Sequence, residues 1–310
     1  MESYDKILDQ LYPHYESIVS FLIAYFNNVV WYPAIILLTA IILQYIFGYE
    51  SKIRFFACYT AYLTYPAFFG TLVWPFFVLN MRQGVLNCLY GAYICRPVRK
   101  IIGVEFELRN GKVLSKEHGT AVVVANHQSF FDVLGMFTFW DVMEKCTAIA
   151  RKKVFYIWPF GLLAWIAGVV FIDRVPSYEK THQTINKTAE YVCRQKAKLW
   201  MFPEGTRNRN PEKLLPFKKG AFRVAICCQV PVIPVVFSPY YFIDGKTHYF
   251  GKGKVIVEAL EPIPTKGLTL DDIDTLIEKV YNLMSAKNDE FRAMLKKQRE
   301  QGKLPCCRNL

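Results

Sequence analysis

The sequence has few of the residues on which metal and disulfide chemistry depend. Five histidines are spread over 310 residues, and no His-Glu-x-x-His pattern is present. The nine cysteines show no paired metal-ligand spacing, and the adjacent pairs Cys227-Cys228 and Cys306-Cys307 are too close for ordinary disulfides. We therefore expect no metal site, and we expect reduced thiols as in a protein that faces the cytosol.

The sequence patterns of several common enzyme classes are also absent. No Gly-x-Ser-x-Gly turn is present to carry a serine nucleophile. Gly245-Lys246-Thr247 resembles the end of a phosphate-binding P-loop, but Tyr240 occupies the position of the first glycine. Gly251-x-Gly253 lacks the third glycine of a dinucleotide fingerprint. The absence of these patterns argues against a serine hydrolase, a P-loop enzyme and a dinucleotide-dependent enzyme. We therefore expect no bound cofactor.

Charge is missing from two long segments near the N-terminus. Ser17–Tyr49 and Phe55–Leu79 contain no charged residue, and a helix of about 20 apolar residues can span a bilayer. We predict helices at about Val30–Phe47 and Phe55–Asn80, which form a hairpin of two transmembrane helices within an anchor of residues 1–83. Acidic residues precede the first segment, which is atypical of a signal peptide, so we expect the hairpin to be retained.

The excess of positive charge indicates anionic partners. The chain has 38 lysines and arginines against 26 acidic residues, a net charge of +12. This charge suits phosphates and anionic lipid headgroups, whereas no motif for nucleic-acid recognition accompanies it. Basic residues after the second apolar segment favour a cytosolic position for the rest of the chain, although Lys52 and Arg54 in the connection favour the opposite. We predict a multi-pass membrane protein with a domain facing the cytosol and no partner nucleic acid.

Residues 84–310 alternate between short apolar runs and amphipathic segments. This alternation predicts an α/β domain, a mixed sheet flanked by helices, with a final helix that ends near Glu300. A third uncharged run, Val154–Ile172, is interrupted by proline and glycine. We predict that it divides into a surface helix over about Val154–Ala167, able to lie in the bilayer surface, and a buried strand over about Gly168–Ile172.

Two polar segments follow predicted buried strands. Asn126-His127-Gln128-Ser129-Phe130-Phe131-Asp132 follows Ala121–Ala125, and Phe202-Pro203-Glu204-Gly205-Thr206-Arg207-Asn208-Arg209 follows Leu199–Phe202. The first segment supplies a base with a carboxylate, and the second supplies a glycine turn with fixed positive charge. Together they predict a site that deprotonates a hydroxyl group beside an anionic group.

The histidine of the first segment has two interpretations. His127 and Asp132 are too far apart to share one face of a continuous helix. A turn at His127, with a helix beginning at Ser129, allows the carboxylate to orient the imidazole as in a Ser-His-Asp relay. A helix capping box, Ser129-x-x-Asp132, accounts for the same residues without catalysis, and on the local motif alone it is the more common situation.

The second segment favours a catalytic site. Gly205 permits a tight turn whose backbone N–H groups can hold an oxyanion. Arg207, Arg174 and Lys218 are suited to bind a phosphate, although each alone is more often a solvated surface residue. Glu204 could equally be a buried carboxylate paired with one of the arginines.

Four blocks of sequence lie in order between Ala121 and Phe237. They are Asn126-His127-x-x-x-x-Asp132, Gly168-Val169-Val170-Phe171-Ile172-Asp173-Arg174, Phe202-Pro203-Glu204-Gly205-Thr206-Arg207 and Val232-Ile233-Pro234-Val235. Together they resemble the 1-acylglycerol-3-phosphate (lysophosphatidate) acyltransferases. The block Glu-Gly-Thr-Arg is closer to this family than to its lysophosphatidylcholine or cardiolipin relatives.

The resemblance implies roles for these residues. It makes His127 the general base and Asp132 its orienting partner. It assigns substrate binding to Arg174, Glu204, Gly205, Thr206, Arg207, Lys218 and, on the acyl-donor side, Pro234. Relatives often have Lys-x-Glu after the third strand, where this chain has Arg151-Lys152-Lys153, so that acidic position has no counterpart here.

The resemblance also implies a reaction and a location. We expect transfer of an acyl chain from acyl-CoA, as co-substrate, to the sn-2 hydroxyl of lysophosphatidic acid at the endoplasmic reticulum membrane, with no required protein partner. An alternative acceptor is glycerol-3-phosphate or another lysophospholipid. A transporter or scaffold is the alternative outside enzymes, but the two apolar segments carry no ionisable group of the kind that transport pathways use.

Overall fold

A computed structural model describes residues 17, 19–20, 23–79, 84–157, 159–172, 178–208, 210 and 212–304. The strands are β1 (Val104–Arg109), β2 (Val122–Ala125), β3 (Cys146–Arg151), β4 (Val170–Ile172), β5 (Lys198–Met201), β6 (Val232–Phe237), β7 (Ile243–Asp244), β8 (Tyr249–Phe250) and β9 (Gly253–Ala259). The helices are α1 (Tyr32–Ile46), α2 (Lys52–Leu79), α3 (Leu86–Cys95), α4 (Val98–Ile102), α5 (Asp132–Thr138), α6 (Trp140–Met143), α7 (Lys152–Phe155), α8 (Phe160–Ile166), α9 (Tyr178–Gln195), α10 (Gly220–Cys228) and α11 (Ile273–Glu300).

The main sheet is mixed, as predicted. Within the described residues it has seven strands in the order β1-β9-β6-β2-β5-β3-β4. Strands β2, β3, β4, β5 and β6 are mutually parallel where they pair, whereas β9 runs antiparallel to β6. The carboxyl ends of the five parallel strands therefore lie at one edge of the sheet, where α/β proteins commonly place their ligand sites.

Helices cover both faces of the sheet, because its central strands are apolar on both sides. Along β2, Val122 and Val124 pack into a core shared with α9, α10 and α11. Val123 and Ala125 face the opposite core, to which α2 contributes Ala61 and Tyr65. The N-terminal hairpin is thus packed against the same sheet that carries the polar segments.

The hairpin differs in detail from the prediction. Among the described residues, α2 is the one helix that is long and apolar enough to cross a membrane, while α1 has 15 residues. The guanidinium of Arg54, near the start of α2, is buried and donates hydrogen bonds to the carbonyl oxygens of Gln44 and Phe250. Further along α2, a side chain added at Gly70 would come within 3.0 Å of Leu163 in α8. Helix α2 therefore lies along the α/β domain.

Other predicted elements are confirmed with changed boundaries. The third uncharged run divides into helix and strand as expected from its proline and glycines, but the predicted single helix is replaced by the end of α7 and by α8, and β4 begins at Val170. The last helix ends at Glu300, and Thr269 and Asp272 form the predicted capping box. The helix expected from Ser129 begins instead at Asp132. The cysteines of the described residues are free thiols, and Cys306-Cys307 lies outside those residues.

Candidate active site

The two polar segments meet because their strands are neighbours. β2 and β5 pair in parallel, with Val124 opposite Met201, so the chain leaves both strands at the same edge of the sheet. The backbone N–H of His127 donates to Oε1 of Glu204 at 2.7 Å. In return, the N–H of Asn208 donates to the carbonyl oxygen of His127 at 2.6 Å. The two segments are thus joined by hydrogen bonds in both directions.

Glu204 is buried and connects its own segment to the backbone at His127 and at Leu215. Its side chain is 2% exposed, and its second oxygen, Oε2, accepts the N–H of Leu215 at 3.0 Å. Burial raises the pKa of Glu204, and the N–H donors of His127 and Leu215 oppose that shift. Both carboxylate oxygens are engaged with backbone, so the structure gives Glu204 a bracing role. Its assignment to substrate contact stays a prediction.

The structure satisfies both interpretations of Asp132 with a single oxygen. Oδ2 accepts a hydrogen bond from Nδ1 of His127 at 2.8 Å, as in a relay. The same atom accepts the backbone N–H groups of Gln128 at 2.6 Å and Ser129 at 2.8 Å, as in a capping box. These bonds hold Gln128 and Ser129 in the turn that precedes the helix, which begins at Asp132 instead of Ser129.

The protonation of His127 follows from its partner. Asp132 is fully buried, and an ionised carboxylate only accepts hydrogen bonds, so Nδ1 of the imidazole carries the proton. Nε2 is then the nitrogen that can accept a proton from a substrate. The histidine side chain is 18% exposed, which is enough for a substrate to reach it while its orientation stays restrained.

Two neighbours whose role is not evident from the sequence also restrain the histidine. The ring of Phe202 stacks on the imidazole with centroids 4.2 Å apart and planes 19° apart. The amide of Asn126 is buried and exchanges two hydrogen bonds with the backbone of Phe237, at 2.8 and 3.1 Å. Both residues belong to the polar segments, and this position in the motif was the sequence feature that could have identified them. Only the strand order shows what each contacts.

Positive side chains surround the turn at Gly205. This residue has φ +66°, and a Cβ built on it would lie 3.1 Å from Nζ of Lys218. The guanidinium of Arg207 lies 3.7 Å above the ring of Phe130. Nη2 of Arg151 donates to the carbonyl oxygen of Gly205 at 3.2 Å. In the sequence Arg151 stands out only as a departure from the family pattern, but its position at the end of β3 brings it to this turn.

The remaining predicted residues have different outcomes. Thr206 is exposed in the turn. Pro234 lies inside the buried strand β6, opposite Val124. Arg174 lies outside the described residues. The N–H of Gly205 donates to the carbonyl oxygen of Phe202 at 3.0 Å, and the expectation that backbone N–H groups of this turn hold an oxyanion stays a prediction. Within the described part of the chain, no group of three or more His, Cys, Asp or Glu side chains could hold a metal ion.

Comparison with known proteins places this geometry in a family. The sequence model of the Acyltransferase family matches residues 106–238. Human 1-acyl-sn-glycerol-3-phosphate acyltransferase beta is 39% identical over 213 residues, which are 67% of this chain and 74% of that protein. The human alpha protein is 38% identical over 189 residues, 60% of this chain and 65% of that protein.

A solved structure agrees with the fold. The crystal structure of the 1-acyl-sn-glycerophosphate (LPA) acyltransferase PlsC from Thermotoga maritima superposes with a TM-score of 0.52. It covers 94% of this chain and 98% of its own, at 20% sequence identity, which supports a shared fold. The histidine–carboxylate pair, the cationic glycine turn and the similarity to the human proteins agree, and the chain belongs to the 1-acyl-sn-glycerol-3-phosphate acyltransferase family.

Proposed function

We propose that the chain transfers an acyl group from acyl-CoA to the sn-2 hydroxyl of 1-acyl-sn-glycerol-3-phosphate, which yields phosphatidic acid and CoA. The observation that carries this proposal is the bond between His127 and the buried Asp132 next to a turn rich in positive charge. A base beside an anion-binding turn suits an acceptor that contains both a hydroxyl and a phosphate. The names of the human relatives point to the same acceptor.

The histidine performs the proton transfers. Nε2 of His127 takes the proton of the acceptor hydroxyl while the hydroxyl oxygen attacks the thioester carbonyl carbon. The carbon–sulfur bond then breaks, and the imidazolium returns the proton to the CoA sulfur. Asp132 stabilises the imidazolium through the bond to Nδ1. The new ester forms directly from the two bound substrates, without an acyl-enzyme intermediate.

The cations at the glycine turn hold the acceptor. Arg207 presents a planar guanidinium suited to two phosphate oxygens, and Lys218 adds a point charge. Arg151 supports the turn through the carbonyl of Gly205. Fixing the phosphate here positions the hydroxyl near Nε2, so that binding energy is converted into orientation of the reacting groups. Arg174, Thr206 and Pro234 complete the substrate contacts in this proposal.

We propose that the hairpin attaches the domain to the membrane. Side chains that are apolar and exposed line α1 and α2, among them Ile46 at 68% and Leu79 at 84% exposure, and lipid would cover them. Phe250 donates its N–H to the carbonyl oxygen of Tyr49 in the connecting loop at 3.4 Å. Two complete crossings would place this loop across the bilayer from the domain, where the contact could not form. In this proposal the hairpin enters and leaves the membrane on the same side as the domain, which is the cytosolic side of the endoplasmic reticulum.

An acceptor competition assay tests the reaction. The purified protein in liposomes receives labelled acyl-CoA with lysophosphatidic acid, glycerol-3-phosphate and lysophosphatidylcholine at equal concentrations. We expect label in phosphatidic acid, and none without acyl-CoA. Label that enters a different product would replace the acceptor in this proposal, and transfer from an acyl carrier other than CoA would replace the donor.

The position of the connecting loop has its own test. An N-glycosylation sequon inserted between Gly48 and Ser51 should stay unmodified in microsomes, because that loop faces the cytosol with the domain. A second protein controls for active glycosylation and carries the sequon in a secreted reporter domain. This reporter domain is fused at the N-terminus and is preceded by a signal peptide. Modification of the loop would restore the prediction of two transmembrane helices.

A further inference from the structure

Two buried polar atoms beside the histidine have no hydrogen-bond partner among the described residues. One is Oδ1 of Asp132, the oxygen that the histidine does not use, and the other is the hydroxyl oxygen of Tyr240. The whole Asp132 side chain is inaccessible, and Tyr240 is 7% exposed. Leaving a buried polar group unpaired costs about 1–3 kcal/mol, so both atoms are expected to find a partner in the working enzyme.

The two groups are neighbours. Tyr240 follows β6, the strand next to β2, and its ring lies 6.4 Å from that of Phe131, the residue before Asp132. Burial raises the pKa of Tyr240 well above the usual range, and the charge of the nearby Asp132 raises it further. The phenol therefore keeps its proton and can donate it toward the carboxylate.

The surroundings of Tyr240 make its hydroxyl unusual. The ring packs among Phe131 and Phe242, where a phenylalanine would fill the same space without a buried polar atom. A hydroxyl in such a site needs a partner. Its neighbour in sequence, Tyr241, is equally buried, but its hydroxyl oxygen accepts the backbone N–H of Lys254 at 3.4 Å.

We propose that Tyr240 is a positioning residue whose hydroxyl donates to Oδ1 of Asp132, so that both oxygens of the carboxylate that orients His127 are held. The inference rests on the proposed function. With Oδ2 bound to His127, Gln128 and Ser129, the phenol supplies the donor that the second oxygen lacks. Held at both oxygens, the carboxylate keeps its plane, and the imidazole keeps its direction toward the acceptor hydroxyl.

The bond also affects the basicity of the histidine. A donor to Oδ1 draws negative charge away from Oδ2, so its removal strengthens the attraction between Oδ2 and the imidazolium. Other titratable groups face the pair, and all of them remain when the phenol hydroxyl is removed. They are Glu204 from the second polar segment, Tyr59 and Tyr62 from α2, and the cations Arg151, Arg207 and Lys218 at the glycine turn.

The test compares Tyr240→Phe with Tyr241→Phe in the full-length protein in liposomes. We expect Tyr240→Phe to lower kcat about tenfold, by loss of one hydrogen bond to a charged group, with little change in KM for lysophosphatidic acid. The acidic limb of the kcat/KM profile should move to higher pH, because the imidazole holds its proton more tightly. Tyr241→Phe should leave the profile in place. Coincident profiles for wild type and Tyr240→Phe would overturn the inference.

The same substitution in Asp132→Asn protein distinguishes an effect that acts through Asp132 from a general loss of structure. In Asp132→Asn protein, adding Tyr240→Phe should change kcat less than twofold and leave the pH profile unmoved. An undiminished effect in that background would show that Tyr240 acts by another route and would also overturn the inference. Thermal unfolding of each variant confirms folding. If wild-type protein transfers no acyl group, the proposed function fails. If it does and only the Tyr240 predictions fail, the inference fails alone.

Discussion

The two polar segments of the site are restrained in opposite ways. Around His127, the carboxylates of Asp132 and Glu204 are buried, and three hydrogen bonds converge on Oδ2 of Asp132. Around Gly205, Arg207 lies over an aromatic ring, and the side chain of Lys218 is exposed. The contrast follows from the chemistry proposed for each segment. Proton transfer requires a fixed direction, whereas an electrostatic clamp requires charge within reach.

Glu204 is where the two regions meet. It belongs to the second segment in sequence, but its carboxylate bonds to the backbone of His127 in the first. A change at the rigid segment should therefore abolish turnover, a change at the cationic segment should weaken binding of the acceptor, and a change at Glu204 should alter the stability of the connection between them.

The largest effect should come from the rigid segment. We expect His127→Ala to lower kcat about a thousandfold or more, because the general base is lost, while binding of lysophosphatidic acid persists. Turnover and equilibrium binding to liposome-embedded protein measure the two quantities. His118→Ala is the matched control, since His118 is exposed in a turn that precedes β2, at the opposite end of that strand. Near-normal transfer by His127→Ala would remove the proposed mechanism.

A smaller effect should come from the cationic segment. We expect Arg207→Ala to lower kcat/KM for lysophosphatidic acid about 10- to 100-fold by loss of charged hydrogen bonds to phosphate. Arg207→Lys should recover part of this loss, because it restores charge without the planar fork. The exposed Lys213 supplies the control, Lys213→Ala. Equal losses for lysophosphatidic acid and for an acceptor without phosphate would show that Arg207 does not recognise the phosphate.

A glycine substitution separates backbone strain from the contact with Lys218. Gly205 and Gly267 both have positive φ, +66° and +83°, but only Gly205 has a side chain close to the position of a new Cβ. An alanine in this region costs about 1–2 kcal/mol of stability, so both variants should unfold more readily. Gly205→Ala should also raise KM several-fold because Lys218 must move, whereas Gly267→Ala should leave KM unchanged. Equal kinetics in both variants would show that Lys218 does not contribute to acceptor binding.

The smallest effect concerns Glu204 and pH. Because burial raises its pKa in the folded protein above the ordinary 4.5, the folded state binds this proton more tightly than the unfolded state. The contribution of Glu204 to the unfolding free energy therefore falls as pH rises from 4.5 through the raised value. Denaturant unfolding across this range should show a decline in wild type that Glu204→Gln lacks. Glu212→Gln, at an exposed carboxylate, should retain the decline, and a stability that rises with pH relative to Glu204→Gln would reverse the assigned sign.

Much of the fold followed from patterns that are local in the chain. Uninterrupted apolar runs such as 122–125 and 232–237 predicted buried strands, and proline and glycine correctly divided the run 154–172. Local patterns did not determine the arrangement of strand β9 or of the ribbon of β7 and β8. β9 lies between β1 and β6 in space, and its direction depends on pairing with strands far away in sequence, so its neighbours could not be predicted.

The amino-acid sequence by itself determined which residues can do the chemistry. The spacing of His127 and Asp132 allows a single carboxylate oxygen to hold both the imidazole and the following turn, and that arrangement needs only local chain geometry. Tertiary structure alone decided the rest. The bonds of Glu204 to His127, of Arg151 to the glycine turn, and of the α1–α2 loop to Phe250 join residues 77, 54 and about 200 positions apart. Such contacts form only once parallel pairing brings the strand ends to one edge, and no local pattern records that order.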